Sequence, residues 1–449
     1  MNMSRRKSEH PKQSAGNILW VLGLVVMSLL SNCDKVVPEL KQPRNILFYI
    51  ATDNNGLDNG QYQDEPKKLI DAIRAGWIPG RGEMLIYTDQ TGRPPCLMRI
   101  KETRSKTDGF YALDTIHIYN EENSADAEVL SRIIETFVDE YPADRYGMMF
   151  FSHASGWLPD GMLAAPTSLQ TDPQAASHLG LNETSLRSLV IDNGDGQAYE
   201  MAYEDFARAI PDGLFDFIIF DACFITDVMM MYALRDKAEC ILAASAEIVT
   251  PGFTPIYKNN VMRLFNTRIS TTSVLTGFAQ SYMHYIRASY PEDDALCSAT
   301  LGVIQMNEIQ NLAAVVKTAL NDVPLDESTL VVDSIQRFDR PARLITNNPV
   351  RRSRFFDLGH VMESLAADGL ITEAGYAAFQ AQMEKTVVWK DQTKRFLLGN
   401  NDDGDPFFTQ YDGFFIKHHS GLSTYIEQDV YPDLNAAYQN SLWYKAISE

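Results

Sequence analysis

The stretch Phe215-Asp-Phe-Ile-Ile-Phe-Asp-Ala-Cys223 is an apolar run that ends in an acid, a small residue and a thiol. Aromatic and β-branched runs without polar alternation are typical of a central parallel strand that is covered on both faces. The run therefore predicts a buried strand with Cys223 just past its carboxyl end. Ligands of open α/β sheets bind at that edge, so a nucleophile there faces substrate from a rigid backbone. Asp221 lies two residues earlier and is expected to share the face of Cys223.

A second stretch, Tyr146-Gly-Met-Met-Phe-Phe-Ser-His-Ala-Ser-Gly-Trp157, has the same construction, with a polar turn that opens at His153. Strands that are distant in sequence can be neighbours in a parallel sheet, so Cys223 and His153 can lie side by side. A neighbouring imidazole lowers the pKa of a thiol and returns its proton to the leaving group. The pair is interpreted as nucleophile and base. Each residue alone also has a structural interpretation, because a free Cys packs like a small apolar residue.

Several short motifs, taken in order, resemble the clostripain family of cysteine peptidases. They are Tyr49-Ile-Ala-Thr-Asp-Asn-Asn55, Ser152-His-Ala-Ser-Gly-Trp157, Phe220-Asp-Ala-Cys223, Ala244-Ser-Ala-Glu247 with Pro251-Gly252, and Gly421-Leu-Ser-Thr-Tyr425. The resemblance runs from about residue 44 to the C-terminus. It implies a caspase-like fold, a Cys/His dyad and cleavage after Arg or Lys.

The resemblance also suggests how the reaction would be supported. Backbone amides of Cys223 and of the turn Ala154, Ser155 and Gly156 are expected to hold the oxyanion. Family members usually carry Gly directly after the His, and this chain has Ala154, which keeps the amide. The run after Cys223 also departs from the family pattern, which alters the following helix rather than the chemistry.

Two acids are predicted to bind the substrate. Asp221 ends the nucleophile strand, and Glu247 follows the next buried run. Two carboxylates near a nucleophile can form a pocket for a guanidinium, which pairs with them in bidentate fashion. For Asp221 the alternative is a strand-end acid bonded to loop amides, and for Glu247 a structural role is an equal alternative.

The first 32 residues are predicted to be a lipoprotein signal peptide. Four basic residues precede the apolar stretch 18–30, which is too short for a confident membrane span. The stretch ends Leu30-Ser-Asn-Cys33, which resembles a bacterial processing site with Cys33 as the lipidated residue. Lipidation would tether the chain to the bacterial cell envelope, on its periplasmic or outer face, with 33–43 as tether. The alternative is an ordinary signal peptide with an incidental Cys.

The charge of the chain limits its partners. Without residues 1–32 the 39 basic and 59 acidic residues become 35 and 58, a net charge of −23. Nucleic acid is thus not an expected partner. An acidic body suits basic peptides as substrates, although the same charge equally suits plain solubility. Besides Cys33, only four cysteines remain, Cys96, Cys223, Cys240 and Cys297. They are too few for a disulfide scaffold, although one bridge among the three outside Cys223 stays open.

The alternation of strands and helices predicts an α/β, caspase-like sandwich: a mostly parallel sheet flanked by helices, with a helix-rich C-terminal part. The catalytic core is assigned to 44–265, and residues 266–449 complete or flank it. Predicted elements include strands at 44–52, 84–88, 240–245 and 301–304, a hairpin at 95–119, and helices at 66–76, 125–141 after a Ser124 cap, 203–210, 228–235, 271–289, 306–320, 357–365 and 374–389.

The stretch 158–196 is polar and rich in Pro, Gly and Ser, and is too long for a plain connection. Peptidases of the clostripain family often mature by cutting themselves between the His and the Cys. A cut after a basic residue would fall at Arg187, with Arg208 or no cleavage as alternatives.

No metal site is predicted. His360, His418 and His419 lie on a helix face or in a loop, where histidines are seldom ligands. The acidic stretch Asn401-Asp-Asp-Gly-Asp405 lacks the ligand pattern of a known calcium loop. Calcium is therefore an expectation from the family resemblance alone.

Together these features predict a lipid-anchored cysteine endopeptidase that cleaves after Arg or Lys with Cys223 and His153. Two alternatives remain open. One is an inactive relative that acts as a surface lipoprotein and binds basic peptides or a host protein, which Ala154 and the altered run after Cys223 favour. The other is a caspase-fold peptidase of different specificity, for which Asp221 and Glu247 would not line one pocket.

Overall fold

The computed structural model of the chain describes residues 43–52, 65–90, 92–102, 111–120, 122–159, 191–192, 199–340, 352–398 and 413–449. All of them belong to one unit, 42–449. The predictions on the signal peptide, Cys33, the tether, Arg187 and the stretch 401–405 lie outside the described residues. The proposed division at residue 265 stays a prediction.

Eleven α-helices, two short 3-10 helices (Met306–Glu308 and Val332–Ser334) and fifteen strands are formed by the described residues. The strands are β1 (Asn45–Thr52), β2 (Met84–Gln90), β3 (Arg93–Glu102), β4 (Tyr111–Ile118), β5 (Tyr146–Phe151), β6 (Ile191–Asp192), β7 (Tyr199–Glu200), β8 (Phe215–Asp221), β9 (Ala238–Ala243), β10 (Thr300–Gln305), β11 (Phe356–Asp357), β12 (Val387–Gln392), β13 (Arg395–Phe396), β14 (Phe414–Phe415) and β15 (Ser423–Thr424). The helices are α1 (Glu65–Gly76), α2 (Ala127–Glu140), α3 (Tyr203–Ala209), α4 (Val228–Ala233), α5 (Thr254–Leu264), α6 (Thr271–Ser289), α7 (Ile309–Leu320), α8 (Leu358–Ala367), α9 (Glu373–Thr386), α10 (Pro432–Asn440) and α11 (Leu442–Ser448).

Nine strands form the main sheet, in the order β12-β10-β9-β8-β5-β1-β2-β3-β4. The five central strands, from β9 to β2, are parallel to one another, and the strands on both flanks pair antiparallel. The mostly parallel sheet predicted from the apolar runs is confirmed, and the central strands are apolar along most of their length, as is typical of strands buried on both faces.

Side chains alternate between two cores, one on each face of the sheet. In β8, Ile218 and Phe220 pack on the face covered by α2, α3 and α4, whereas Phe217 and Ile219 pack on the face covered by α1, α5 and α6. This arrangement is the predicted sandwich of helices on both sides of one sheet. It leaves the carboxyl ends of the parallel strands as the edge where loops, not core side chains, meet.

Two predicted elements are corrected by the structure. The first long helix begins after Asp126, whose side chain accepts from the Glu128 amide, so Asp126 rather than Ser124 is the cap. The predicted helix 374–389 ends at Thr386, and Val387–Gln392 is the edge strand β12. Val387 and its neighbours are β-branched and aromatic, and pairing with β10 outweighs continuation of the helix.

The C-terminal third supplies two strands of the sheet as well as helices. β10 and β12 extend the sheet beyond β9, each antiparallel to its neighbour. The four cysteines among the described residues, Cys96, Cys223, Cys240 and Cys297, are all free. In the described part of the chain no helix is long and apolar enough to cross a bilayer.

Candidate active site

Two neighbouring parallel strands carry the candidate dyad. β5 pairs with β8 so that Phe151 faces Asp221, and two residues further along each chain come His153 and Cys223. Both side chains line one cleft at the carboxyl edge of the sheet. The cleft is lined by Glu65, Phe151, Ser152, His153, Asp221, Ala222, Cys223, Ile248, Thr250, Pro251 and Gly252.

Cys223 lies largely below the protein surface, with 9% of its side chain exposed. Burial raises the pKa of its thiol to about 12, and the negative charge of Glu247 adds to this effect. The backbone N–H of Ile248 opposes it by donating to Sγ at 3.3 Å. A donor to sulfur stabilises the thiolate more than the thiol, so Ile248 supports the reactive form.

His153 is half-buried, and its Nε2 atom is enclosed without a hydrogen-bond partner among the described residues. Burial lowers the pKa of the imidazole to about 4. The ring is therefore neutral near pH 7 and can accept a proton. An enclosed, unpaired ring nitrogen in the same cleft as a thiol has the chemistry of a general base that is paired only during reaction.

Asp221 lies on the wall of this cleft with 4% of its side chain exposed. Burial raises the pKa of its carboxyl to about 7, although the Phe253 N–H donates to Oδ2 at 3.0 Å and the Tyr257 hydroxyl at 3.4 Å. Gly252 has φ +59°, and a Cβ there would lie 2.4 Å from Asp221 Oδ1. The Pro251-Gly252 motif thus lets the backbone pass directly over the carboxylate.

Glu247 does not line the cleft, and its carboxylate is already paired. Arg340 donates to it through Nε at 2.7 Å and through an Nη at 2.8 Å, and both side chains are almost fully buried. The predicted pocket with Asp221 and Glu247 as two free acids is therefore corrected. The carboxylate of Glu247 is paired with Arg340 of the same chain, and only Asp221 of the predicted pair lines the cleft.

The loop that follows β9 is held from the C-terminal third of the chain. The Thr300 hydroxyl accepts from the amides of Ser245 at 3.2 Å and Ala246 at 2.9 Å. The Ser245 hydroxyl lies 3.2 Å from Nε2 of the buried His419. The Phe224 amide, next to the nucleophile, donates back to the Ala246 carbonyl at 3.1 Å. These contacts fix the backbone that carries the Ile248 donor.

The turn predicted to hold the oxyanion is buried beside the cleft. Ala154 and Ser155 are almost fully enclosed, and Gly156 has φ +64°. A Cβ on Gly156 would lie 2.6 Å from the Phe224 carbonyl, so glycine permits close approach to the segment after Cys223. None of the three turn residues is a lining residue of the cleft.

Two cleft residues escaped sequence reasoning. Glu65 begins α1, is 8% exposed and pairs with Lys68 at 2.7 Å. A sequence signal for Glu65 exists: it is the acid directly before Pro66, at the start of the helix that follows β1, and the carboxyl end of β1 lies at the same edge of the sheet as the cleft. Ile248 acts through its backbone N–H, for which the identity of the side chain gives no signal.

One cluster outside the cleft has the composition of a metal site. Ring nitrogens of His360 and His418 and a carboxylate oxygen of Glu363 lie within 4.8 Å of one another. The two rings stack 3.6 Å apart at 6°, so their in-plane lone pairs run parallel and do not converge. Nδ1 of His360 also accepts from the Gln336 amide at 2.9 Å. As arranged, these side chains do not form a coordination shell.

The fold and the cleft define a class of protein. A mostly parallel sheet between helices, with a thiol and an imidazole at the ends of adjacent strands, is the architecture of a caspase-like cysteine peptidase. The sequence profile of the Clostripain family matches residues 48–395, more than three quarters of the chain. The chain belongs to the clostripain family of cysteine peptidases.

Solved structures agree with this assignment. An inactive zymogen C11 protease from Parabacteroides distasonis is 26% identical, with 91% of this chain and 99% of that chain covered and a TM-score of 0.66. A secreted C11 cysteine protease from Bacteroides thetaiotaomicron, in complex with an irreversible peptide inhibitor, is 23% identical, with 90% and 99% covered and a TM-score of 0.68. No curated protein sequence matches the chain.

Proposed function

We propose that this chain is an endopeptidase that cleaves after Arg or Lys with a Cys223/His153 dyad and is anchored to the bacterial cell envelope through lipidated Cys33. One observation carries the catalytic part: a thiol, an enclosed imidazole and a buried carboxylate without a basic partner among the described residues line one cleft. Retention of both reacting groups argues against a purely binding role. Because Glu247 does not line the cleft, the preference for Arg or Lys rests on Asp221 alone, and a peptidase of different specificity stays the alternative that the peptide comparison tests.

In the proposed reaction, the Cys223 sulfur attacks the scissile carbonyl carbon and its proton passes to His153. The C–N bond then breaks as the imidazolium returns that proton to the departing amine. Water releases the acyl group from sulfur and restores the thiol. The Cys223 amide, together with amides of the turn Ala154, Ser155 and Gly156, is proposed to hold the oxyanion.

Asp221 is the proposed recognition group for the basic residue before the cut. In the free enzyme its pKa of about 7 leaves it partly protonated at neutral pH. A bound guanidinium would favour the carboxylate form and displace that proton. Glu65, on the cleft wall at the start of α1, is a second acid that is already paired with Lys68 at 2.7 Å. Asp221 is thus the acid that the cleft offers to a substrate cation, and none of the lining residues is Lys or Arg.

Peptide cleavage by the full chain tests the catalytic proposal. Matched fluorogenic peptides ending in Arg, Lys, Asp or Leu are compared for the wild type, Cys223→Ala and Asp221→Asn. We expect cleavage after Arg and Lys that Cys223→Ala abolishes and Asp221→Asn reduces about 100-fold, the cost of losing a buried charged partner. Cleavage that persists in Cys223→Ala would refute the dyad.

A silent wild type is resolved by nicking the chain with trypsin. Activity that appears after nicking identifies a proenzyme, and Arg187→Ala tests whether Arg187 is the natural cut. A folded, nicked chain that cleaves none of the four peptides, yet retains an Arg peptide in equilibrium binding, would instead support the inactive relative that binds basic peptides.

The anchor needs a separate test. Expression in a bacterial host with labelled palmitate should label the wild type and not Cys33→Ala, and only the wild type should enter the detergent phase of a two-phase extraction. Label that remains on Cys33→Ala would refute Cys33 as the lipidated residue. The result is independent of peptidase activity.

A further inference from the structure

We propose that Arg340 is a positioning residue for the nucleophile: by neutralising Glu247, it allows the Cys223 thiolate to form beside the Ile248 amide. The inference rests on the proposed function, because it assigns a role to the environment of that nucleophile. It adds a residue that lies 117 positions after Cys223 and outside the motifs of the sequence.

The geometry links Arg340 to sulfur in two steps. Arg340 and Glu247 form a bidentate pair at 2.7 and 2.8 Å, with side chains 3% and 4% exposed. The residue after Glu247 is Ile248, whose N–H donates to Cys223 Sγ at 3.3 Å. The carboxylate and the donor to the thiolate are therefore neighbours on one short segment.

An unpaired carboxylate at this position would oppose catalysis. A negative charge near a thiol disfavours the thiolate, and the effect grows where water is excluded. Among the influences on the pKa of Cys223, the charge of Glu247 raises it second only to burial, and the charge of Arg340 lowers it. With the guanidinium in place, the sulfur meets a nearly neutral pair and one aligned N–H donor.

Other ionisable groups also face the thiol and must be held constant in any test. These groups, which belong to different elements of the fold, are Glu65, His153, Asp221, Glu247, Tyr282 and Arg340. Of these only Arg340 is a permanent cation, because His153 is neutral near pH 7. The proposal therefore predicts an effect of Arg340 on the thiol that the same change in a remote buried arginine lacks.

The second-order rate of Cys223 alkylation by iodoacetamide, followed by mass spectrometry of the Cys223 peptide from pH 6 to 10, measures thiolate formation without requiring peptidase activity. The full chain is used as wild type, Arg340→Met, Glu247→Gln and the double variant. Arg44→Met is the matched control, because Arg44 is a fully buried guanidinium paired with Asp216 at the opposite ends of the strands.

We expect Arg340→Met to slow alkylation at pH 8 about tenfold, equivalent to a rise of one unit in the thiol pKa. Glu247→Gln should accelerate it, since the cation then remains alone, and the double variant should return to within about threefold of the wild type. Arg44→Met should leave the pH profile in place.

Three results would overturn the inference: an unchanged profile in Arg340→Met, a double variant as slow as Arg340→Met, or a shift of the same size in Arg44→Met. If Arg340→Met does not fold, Glu247→Gln decides, because an unchanged or slower rate there contradicts the charge argument. Peptide cleavage that fails in the wild type, with the alkylation series as expected, would refute the proposed function alone.

Discussion

Replacing Asp221 by Asn should make the folded protein more stable above neutral pH while it impairs recognition of basic peptides. Asn has the same shape, and its amide oxygen can still accept from the Phe253 N–H and the Tyr257 hydroxyl. The substitution therefore removes a buried charge and keeps its contacts. Such a trade-off between stability and activity is common where a functional group is kept at a cost to the stability of the fold.

The magnitude follows from the shift in the pKa of Asp221. The folded protein holds the proton up to a pKa of about 7, whereas an unfolded Asp releases it near pH 3.9. The folded wild type therefore loses stability as pH rises from about 4 to 7, and the loss is constant above that range. A rise of about three units in the pKa of Asp221 lowers the free energy of unfolding by about 4 kcal/mol at pH 8.5 and by about 1 kcal/mol at pH 4.5.

Urea unfolding at pH 4.5, 6, 7 and 8.5 measures this difference. Both chains carry Cys223→Ala, so that neither self-digestion nor the thiol contributes. The stability advantage of Asp221→Asn should grow by about 3 kcal/mol between pH 4.5 and 8.5, with most of the growth below pH 7. An advantage that does not vary with pH, or that falls as pH rises, would refute a buried carboxyl with a raised pKa.

Three further predictions concern the cleft and the opposite end of the sheet. Gly252→Ala should lower the free energy of unfolding by about 2 kcal/mol more than Gly213→Ala. Both glycines have positive φ, but a Cβ at 252 would meet the Asp221 side chain, whereas nothing lies within 4 Å of a Cβ at 213. Equal losses in urea titrations would contradict this. Asp216→Ala should lose about 3–5 kcal/mol, because it strands the fully buried Arg44 guanidinium, whereas Asp212→Ala, at an exposed ion pair, should change little. The ratio of kcat/KM for an Arg peptide over a Leu peptide should rise with pH as Asp221 ionises through about pH 7, and a flat ratio would exclude Asp221 as the recognition group.

The sheet and the positions of Cys223 and His153 at its edge could be predicted because their signals are local. The central strands are apolar along most of their length, and an abrupt change to polar residues marks the carboxyl ends of β5 and β8. The rule that parallel strands end at one edge then places Cys223 beside His153 without knowledge of any contact.

The pairing of Glu247 could not be predicted, because its partner lies 93 residues away in a stretch without regular structure. An acid after a buried strand has the same local pattern whether it faces substrate or a distant Arg. The corrected start of α2 and the corrected end of α9 were ambiguous for a similar reason. Ser124 and Asp126 are both good caps, and Val387 satisfies the periodicity of the preceding helix as well as an edge strand.

The loop that follows β9 is held by Thr300, Arg340 and His419, all of which come after both His153 and Cys223 in the chain. The chain up to Cys223 contains the thiol and the imidazole but none of these three residues. The Ile248 donor is thus held in place by residues of the last third of the chain. That third therefore sets the environment of the Cys223 thiol as well as completing the sheet.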